Sequence, residues 1–465
     1  MDSVEYHNVD SFLKDFNNVG LTLNLLEERD HTIRYHATQF LRILLYSKAD
    51  VLQQAILQSP MGIPKLMDLL KETREIVRNE ALLLLLELTK SNQEIQKIIA
   101  FEGAFEMLLS IIYEEGLNDG GIIVQDCLSL INNLLRNNVS NQNYFRETSC
   151  ISKLPALLKL SSSDMWILTD DKRDIVLLTL DIISQLVSGN NPSTHMNQLV
   201  LLRNNILNLI CPIALGRLNS PIIRIRSLLT LADILYGNKE ASTAFSTMLV
   251  SLESPQSTSN ENVPVLSRLL IVILNSSDLH ERSASLRVFK CYLHENEEGQ
   301  MALASTLTPS PNSETVSLGN LLLVNLFGWE DAENHSTLAT ATNSTTTSTT
   351  TGTTTGGTNL SVHNNFPWKC WFSSNILGYI IKDNASCKEL VLRIPLEIPK
   401  PGVPMITLLT KVMNSLTLAS RMQSNSKITS IVKIAMLKLL CIWMEDNSHS
   451  VKSYLQIPSN LPFVC

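Results

Sequence analysis

An all-α solenoid is the fold class that this 465-residue sequence predicts, and three observations predict it. One spacing of apolar residues with a helical period recurs along the chain. The recurrences are separated by a drifting step of 44 to 52 residues. Alternating runs bounded by turn dipeptides, the mark of strands, do not occur.

The spacing is 0, +4, +7, +8 and +11, which lays five side chains along one face of a helix with 3.6 residues per turn. It is met by Ile33, Ala37, Phe40, Leu41, Leu44; by Val77, Ala81, Leu84, Leu85, Leu88; and by Val432, Met436, Leu439, Leu440, Trp443. Three further segments carry one polar residue at +8: Val124, Leu128, Ile131, Asn132, Leu135; Val176, Leu180, Ile183, Ser184, Val187; and Ile225, Leu229, Ala232, Asp233, Tyr236. A degenerate copy begins near Ala284. The steps 33 to 77 to 124 to 176 to 225 are 44, 47, 52 and 49 residues, close to the roughly 40–47 of armadillo and HEAT units.

Between the long helices the text repeats as well. Ser91-Asn92-Gln93 and Ser140-Asn141-Gln142 lie 49 residues apart, and each is read as the stop of one helix and the cap of the next, because Ser and Asn accept hydrogen bonds from free amides. Two shorter apolar helices follow each triplet: Glu94–Ala100 and Ala104–Ile112, then Tyr144–Glu147 and Ile151–Leu160. A long helix plus two short ones is closer to an armadillo unit than to a HEAT unit. Since no unit buries its apolar face alone, stacking supplies the core.

The expected organisation is armadillo-like repeats over 1–329, a disordered Thr/Ser/Gly/Asn-rich insertion over 330–365 (NSTTTSTTTGTTTGGTN at its heart), and further armadillo-like repeats over 366–465 in an array that stops within a unit. Glu253–Asn262 reads as a polar loop. Ile394–Pro404 cannot be helical, because its prolines lack donors and restrict their predecessors.

Composition narrows the function. Hydrophobic residues at 44% and charged residues at 17% allow a large core, and 37 basic against 44 acidic residues give a net charge of −7 with a pI near 5.8. A mildly acidic chain is a poor general binder of nucleic acid. The longest apolar run, Ala81–Leu86, falls short of the roughly 20 residues of a membrane helix, and the amino terminus MDSVEYHNVD has no signal segment. The expectation is a cytoplasmic protein without a transmembrane span. The eight scattered cysteines form no CxxC pair and read as reduced core thiols.

Chemistry-bearing patterns are absent: there is no GxxxxGK[ST], GxSxG, HExxH or acidic calcium loop. No enzyme activity, cofactor or metal is expected. Gly116-Leu117-Asn118-Asp119-Gly120-Gly121 is a helix end and start rather than an anion cradle, with Glu114 and Glu115 beside it. Trp371/Asn375 and Trp443/Asn447 have the Trp-x-x-x-Asn spacing with which armadillo import adaptors clamp basic peptides. The alternative function is therefore a soluble adaptor for basic peptides such as nuclear import cargo.

The run Ile95–Glu147 strongly resembles the armadillo-like head of the general vesicular transport factor family. The resemblance is carried by Ala100-Phe101-Glu102, Ala104-Phe105-Glu106, Glu114-Glu115-Gly116, Asp119-Gly120-Gly121, Asp126-Cys127-Leu128 and Ser140-Asn141-Gln142-Asn143. A second, sparser match covers Trp371–Leu396 and Ile431–Val464. The resemblance implies a non-catalytic vesicle tether in endoplasmic reticulum-to-Golgi and intra-Golgi transport. It further implies peripheral association with Golgi and vesicle membranes and binding to a Rab-type GTPase and to other tethering or coat proteins. Family members have further head repeats, a dimerising coiled coil and an acidic tail; no sustained heptad or acidic run occurs here, so a homodimer is expected only where such a coiled coil is present. The candidate partner-binding residues are Glu102, Glu106, Glu114, Glu115, Asp119, Asp126 and Asn143, polar positions that the core spacing does not require.

Overall fold

The computed structural model describes residues 9–251, 262–308, 317–330, 366–396, 406–422 and 427–456, apart from positions 162, 166, 190, 217 and 219. The Thr-rich insertion beyond Glu330, most of the two expected loops and the last nine residues lie outside the described residues. The chain divides into two compact units, Met1–Ile234 and Leu235–Cys465. Each is a stack of helices of the predicted all-α solenoid class.

The first unit runs α1 (Phe16–Asn24), α2 (His31–Gln58), α3 (Gly62–Asp68), α4 (Glu75–Leu88), α5 (Gln93–Phe101), α6 (Ala104–Glu114), α7 (Gly121–Leu135), α8 (Val139–Glu147), a 3-10 helix (Cys150–Leu158), α9 (Asp170–Val187), α10 (Thr194–Arg203), α11 (Ile206–Leu215) and α12 (Pro221–Leu235). Helix α2 is broken at Lys48, whose φ of −147° and ψ of 68° are not helical. Long helices stack on one another, α2 on α4, α4 on α7 and α7 on α9. In α4, α7 and α9 the apolar members of the predicted spacing are buried. Two of the three polar residues at +8 have a reason: Asn132 accepts a hydrogen bond from Gln185 of the next long helix, and Ser184 shares one of 3.0 Å with Thr230.

Three local readings are corrected. In α12 the spacing slips by one residue: Leu228, Leu231, Ala232 and Leu235 are buried, whereas Tyr236 is 45% exposed. The second short helix after α7, expected as Ile151–Leu160, is the 3-10 helix Cys150–Leu158, with Pro155 inside it unable to donate into an α-helical ladder. Asn92 caps α5 as expected, accepting from the amides of Glu94 and Ile95 at 3.1 Å each. The matching cap of α8 is Asn138, not Ser140 or Asn141, so the true repeat is Asn92/Gln96 and Asn138/Gln142, 46 residues apart.

That correction exposes how the stack is held. The last carbonyls of an α-helix have no partner within it. Here buried amide side chains of other helices bond them: Gln96 donates to the Thr89 carbonyl beyond α4 at 2.8 Å, Asn141 to Leu134 at 2.8 Å and Gln142 to Leu135 at 2.9 Å at the end of α7, and Asn197 to Leu186 of α9 at 2.8 Å. The capping asparagines reach back to the glutamine of the preceding unit, Asn92 to Gln53 at 3.1 Å and Asn138 to Gln96 at 3.4 Å.

The second unit repeats the device. It contains α13 (Lys239–Ser246), a two-stranded antiparallel ribbon of β1 (Leu249–Ser251) and β2 (Asn262–Pro264), α14 (Val265–Asn275), α15 (Leu279–Leu293), α16 (Glu297–Ser305), α17 (Leu318–Phe327), α18 (Phe366–Ile381), α19 (Ala385–Leu392), α20 (Leu408–Arg421), α21 (Lys427–Met444) and α22 (Ser448–Leu455). Gln300 of α16 donates to the carbonyls of Tyr379 and Lys382 at 3.0 and 2.8 Å and accepts from Asn384, the cap of α19, at 2.9 Å. Helix α18 escaped the spacing rule because it is buried on several sides, against α15, α17 and α21. A helix surrounded by protein has no single apolar stripe.

Among the described residues no single helix is long and apolar enough to cross a membrane; α10 and α11 reach that length only together, bent by 88°.

Candidate partner-binding surface

The stretch singled out in the sequence lies on the end of α5, on α6, on the following turn, and on α7 and α8. Glycine sets its corners. Gly103 (φ +85°) joins α5 to α6, and Gly116 (φ +93°) ends α6 in the left-handed conformation that favours glycine. At Gly120 a Cβ would lie 2.4 Å from a Val124 methyl and 2.6 Å from the Glu115 carbonyl oxygen, so no larger residue fits there. The turn is pinned to its neighbour by buried Asn118, which donates to the Lys159 carbonyl at 2.7 Å.

The seven candidate residues have different fates, and no hydrogen bond or ion pair joins any two of them. Glu115 is bound to Arg78 of α4 at 2.6 Å, with side chains only 26% and 12% exposed. Asp119 pairs with Lys172 of α9 at 2.9 Å, and Lys172 also holds Asp164 at 3.0 Å. The hydrogen bond that Lys172 donates to Asp119 leads the causes that push its ammonium above the ordinary range. These two carboxylates therefore hold neighbouring helices together. Asn143 accepts from Arg146 at 3.2 Å. Glu114 is exposed and accepts only from Ser110, at 3.2 Å. Glu102 is exposed at the end of α5. Asp126 on α7 is half-buried, and loss of water raises its pKa. Glu106 is half-buried, and its Oε2 is enclosed without a hydrogen bond.

Sequence reasoning missed the aromatic side chains beside these carboxylates. Phe101 is 61% exposed and meets the half-buried Tyr144 ring at 5.0 Å, while Phe105 and Phe145 pack edge to face beneath at 4.8 Å. Tyr113 is 75% exposed on α6. The signal was present in Ala100-Phe101-Glu102, where an aromatic ends an amphipathic helix instead of facing its core.

The tryptophan pairs are occupied by the chain itself. Lys438 of α21 places its ammonium 5.5 Å from the centre of the Trp371 ring and donates to Asn375 Oδ1 at 2.6 Å, while Asn375 Nδ2 donates to the Trp371 carbonyl at 2.7 Å. Trp443 is buried, donating from Nε1 to the Lys388 carbonyl at 3.3 Å, and Asn447 caps α22. A basic peptide would have to displace Lys438. Lys438→Ala is expected to lower stability by about 1 kcal/mol, the scale of one cation–π contact with a hydrogen bond, as read by thermal melting; an unchanged melting temperature would show that the contact is idle.

Burial disfavours a thiolate nucleophile at five of the cysteines. Burial pushes the Cys127 thiol up to about 12 and Cys387 up to about 11, and it raises Cys211 and Cys370 too. Six of the cysteines are buried as expected and Cys441 is exposed; Cys465 lies outside the described residues. Among the described residues no group of His, Cys, Asp and Glu has a metal-binding arrangement.

Residues 238–465 match the family described as "Uso1 / p115 like vesicle tethering protein, head region". The chain is 34% identical to general vesicular transport factor p115 of Bos taurus over 460 residues, covering 97% of this chain and 42% of the relative. It is 33% identical to golgin candidate 6 of Arabidopsis thaliana over 480 residues, covering 98% and 48%. The crystal structure of Uso1-2 superposes with a TM-score of 0.78 at 24% identity, covering 98% of this chain and 64% of that one, which supports the fold. The chain thus spans less than half the length of the curated relatives that it matches.

Proposed function

The chain belongs to the family of Uso1/p115-like vesicle tethering proteins, and from that premise we propose that it acts as a non-catalytic tethering head in transport from endoplasmic reticulum to Golgi and within the Golgi. In this reading it works in the cytoplasm, peripheral to Golgi and vesicle membranes. It binds a Rab-type GTPase together with other tethering or coat proteins through the outer surface of its stacked helices. The observation that carries the reading is similarity to a vesicular transport factor along 97% of the chain. Helical repeats stacked within each unit, with exposed helix surface to offer a partner, suit that work.

The peptide-adaptor reading is not favoured, because Lys438 fills the Trp371/Asn375 pair that such an adaptor would need open.

Immobilised Rab-type GTPases loaded with a GTP analogue or with GDP, probed with the purified chain, test the reading. Retention about fivefold or more stronger on the GTP-loaded form of at least one Golgi-associated member is the expected result, since such a difference corresponds to about 1 kcal/mol of differential binding. Equal retention in both states across the panel would count against it.

A further inference from the structure

Charge is segregated near the end of the second unit. Residues 398–444 hold six lysines and arginines and no aspartate or glutamate, in a chain whose net charge is −7. Helices α20 and α21 come from this stretch and pack on each other, and neither carries a carboxylate. Their outward stripes mix cations with aliphatic side chains. On α20, Leu418 is 41% exposed and stands one turn before exposed Arg421. On α21, Ile434 and Leu437 are 55% and 48% exposed, with half-buried Lys433 and exposed Lys438 and Cys441 around them. Offsets of four residues put Lys433 beside Leu437 and Ile434 beside Lys438 on one helix face. The core does not need these side chains, because α21 buries Val432, Ala435, Met436, Leu439 and Trp443 on its other side.

The cations of this face keep their charge uncompensated. Glu330 is held by Lys411 and Ser415 of α20, both at 2.6 Å. Lys438 has neutral partners, the Asn375 amide oxygen and the Trp371 ring. Neither Arg421 nor Lys433 makes an ion pair with a described acid. A surface of one sign attracts anions, and aliphatic side chains protruding among its cations gain from an apolar phase beside those anions. A protein partner answers each cation with a carboxylate in fixed geometry. An anionic bilayer presents headgroup charge at every lateral position with hydrocarbon just beneath it. Cations spread over two helices, with aliphatic side chains standing singly between them, match the bilayer.

We propose that the outward face of α20 and α21 is a contact for an anionic lipid surface. Leu418, Ile434 and Leu437 enter the headgroup layer, and Arg421, Lys433 and Lys438 meet its phosphates and carboxylates. The inference deepens the reading of the chain as peripheral to Golgi and vesicle membranes and rests on that reading only for which membrane the face meets.

The test is co-flotation of the purified full chain with phosphatidylcholine vesicles, with or without about one-third phosphatidylserine, at low salt. The phosphatidylserine vesicles should bind at least about tenfold more tightly. Arg421→Gln/Lys433→Gln should weaken that binding about tenfold or more, since each cation at such a surface contributes about fivefold. Lys97→Gln/Lys153→Gln, which removes two exposed lysines of the first unit, should leave it nearly unchanged. Ile434→Ser/Leu437→Ser should weaken it about fivefold with no change of charge. Both variants of the face should melt within a few degrees of the parent; should the serine variant melt early, the glutamine variant decides. An environment-sensitive dye on Cys441, in a Cys465→Ser background, should shift to the blue on vesicle binding, the other described cysteines being buried. The proposal fails if phosphatidylserine confers no preference, if the Lys97/Lys153 variant loses as much as the Arg421/Lys433 variant, or if the dye stays unshifted while the chain floats. A chain that sediments as a dimer, and as a monomer once Ile434 and Leu437 are serine, would give the face to a second copy instead; a Glu-rich amphipathic peptide that binds where vesicles do not would give it to a protein. Nucleotide-dependent GTPase retention by a chain that ignores anionic vesicles would sink the lipid contact and leave the tether standing; vesicle binding without GTPase retention would do the reverse.

Discussion

Asn141→Leu is expected to lower the free energy of unfolding by about 2–4 kcal/mol, although the substitution adds apolar surface to a fully buried site. Asn141 is 0% exposed, and its Nδ2 donates to two carbonyls, Leu134 at 2.8 Å and Gln96 at 3.1 Å. The first is an orphan acceptor in the last turn of α7, and the second belongs to α5 of the preceding unit. Leucine fills the volume but leaves the Leu134 oxygen in apolar surroundings with no donor and takes from the Gln96 oxygen the bond it has beyond its own helix ladder. Ser140→Ala, at the exposed neighbouring position, is expected to stay within about 0.5 kcal/mol of the parent. Urea unfolding followed by circular dichroism separates the two. A loss at Asn141 no larger than at Ser140 would mean that the amide network follows the stacking and does not hold it.

That network marks the boundary of what the sequence made legible. The apolar spacing is a property of one helix, so it located α4, α7, α9 and α21 directly from text. It failed where burial is not one-sided, as in α18, and slipped by one residue in α12, where Ile223, Leu228 and Ile234 widen the buried face and blur its centre. The repeated triplets were noticed, but their alignment by identity put Ser140-Asn141-Gln142 against Ser91-Asn92-Gln93. The structure aligns by role instead: an asparagine that caps, four residues before a buried residue that bonds carbonyls at the end of a long helix, the preceding one for Gln96 and Gln142 and a later one for Gln300 and Lys388. Asn92/Gln96, Asn138/Gln142, Asn296/Gln300 and Asn384/Lys388 all keep that offset. Capping geometry, not letter similarity, is the periodic feature there. At the candidate surface the acidic residues were visible as residues without a core task, but their tasks lie on other helices. Asp119 meets Lys172 across more than fifty positions of sequence, and no local rule reaches that far.

Glu114 and Glu115 show this limit most sharply, and substituting them one at a time separates fold from function. Successive residues of a helix point about 100° apart, so only the position of α4 decides which of the two is structural. It is Glu115, through Arg78. Glu115→Lys places a second cation against a mostly enclosed guanidinium, and the expected loss is about 1.5–3 kcal/mol, below the value for a fully buried pair because part of the carboxylate remains in water. Exchanging both charges in Arg78→Glu/Glu115→Arg should recover most of that loss, since the pair is restored; a double variant as unstable as the single one would assign the effect to packing instead. Glu114→Lys, by contrast, disturbs only a bond from Ser110 and should melt with the parent. Were it also to lose nucleotide-dependent GTPase retention, Glu114 would be placed on the partner surface with no change in the fold to blame. Retained binding in Glu114→Lys would move the search one helix corner away, to Glu102, exposed at the end of α5.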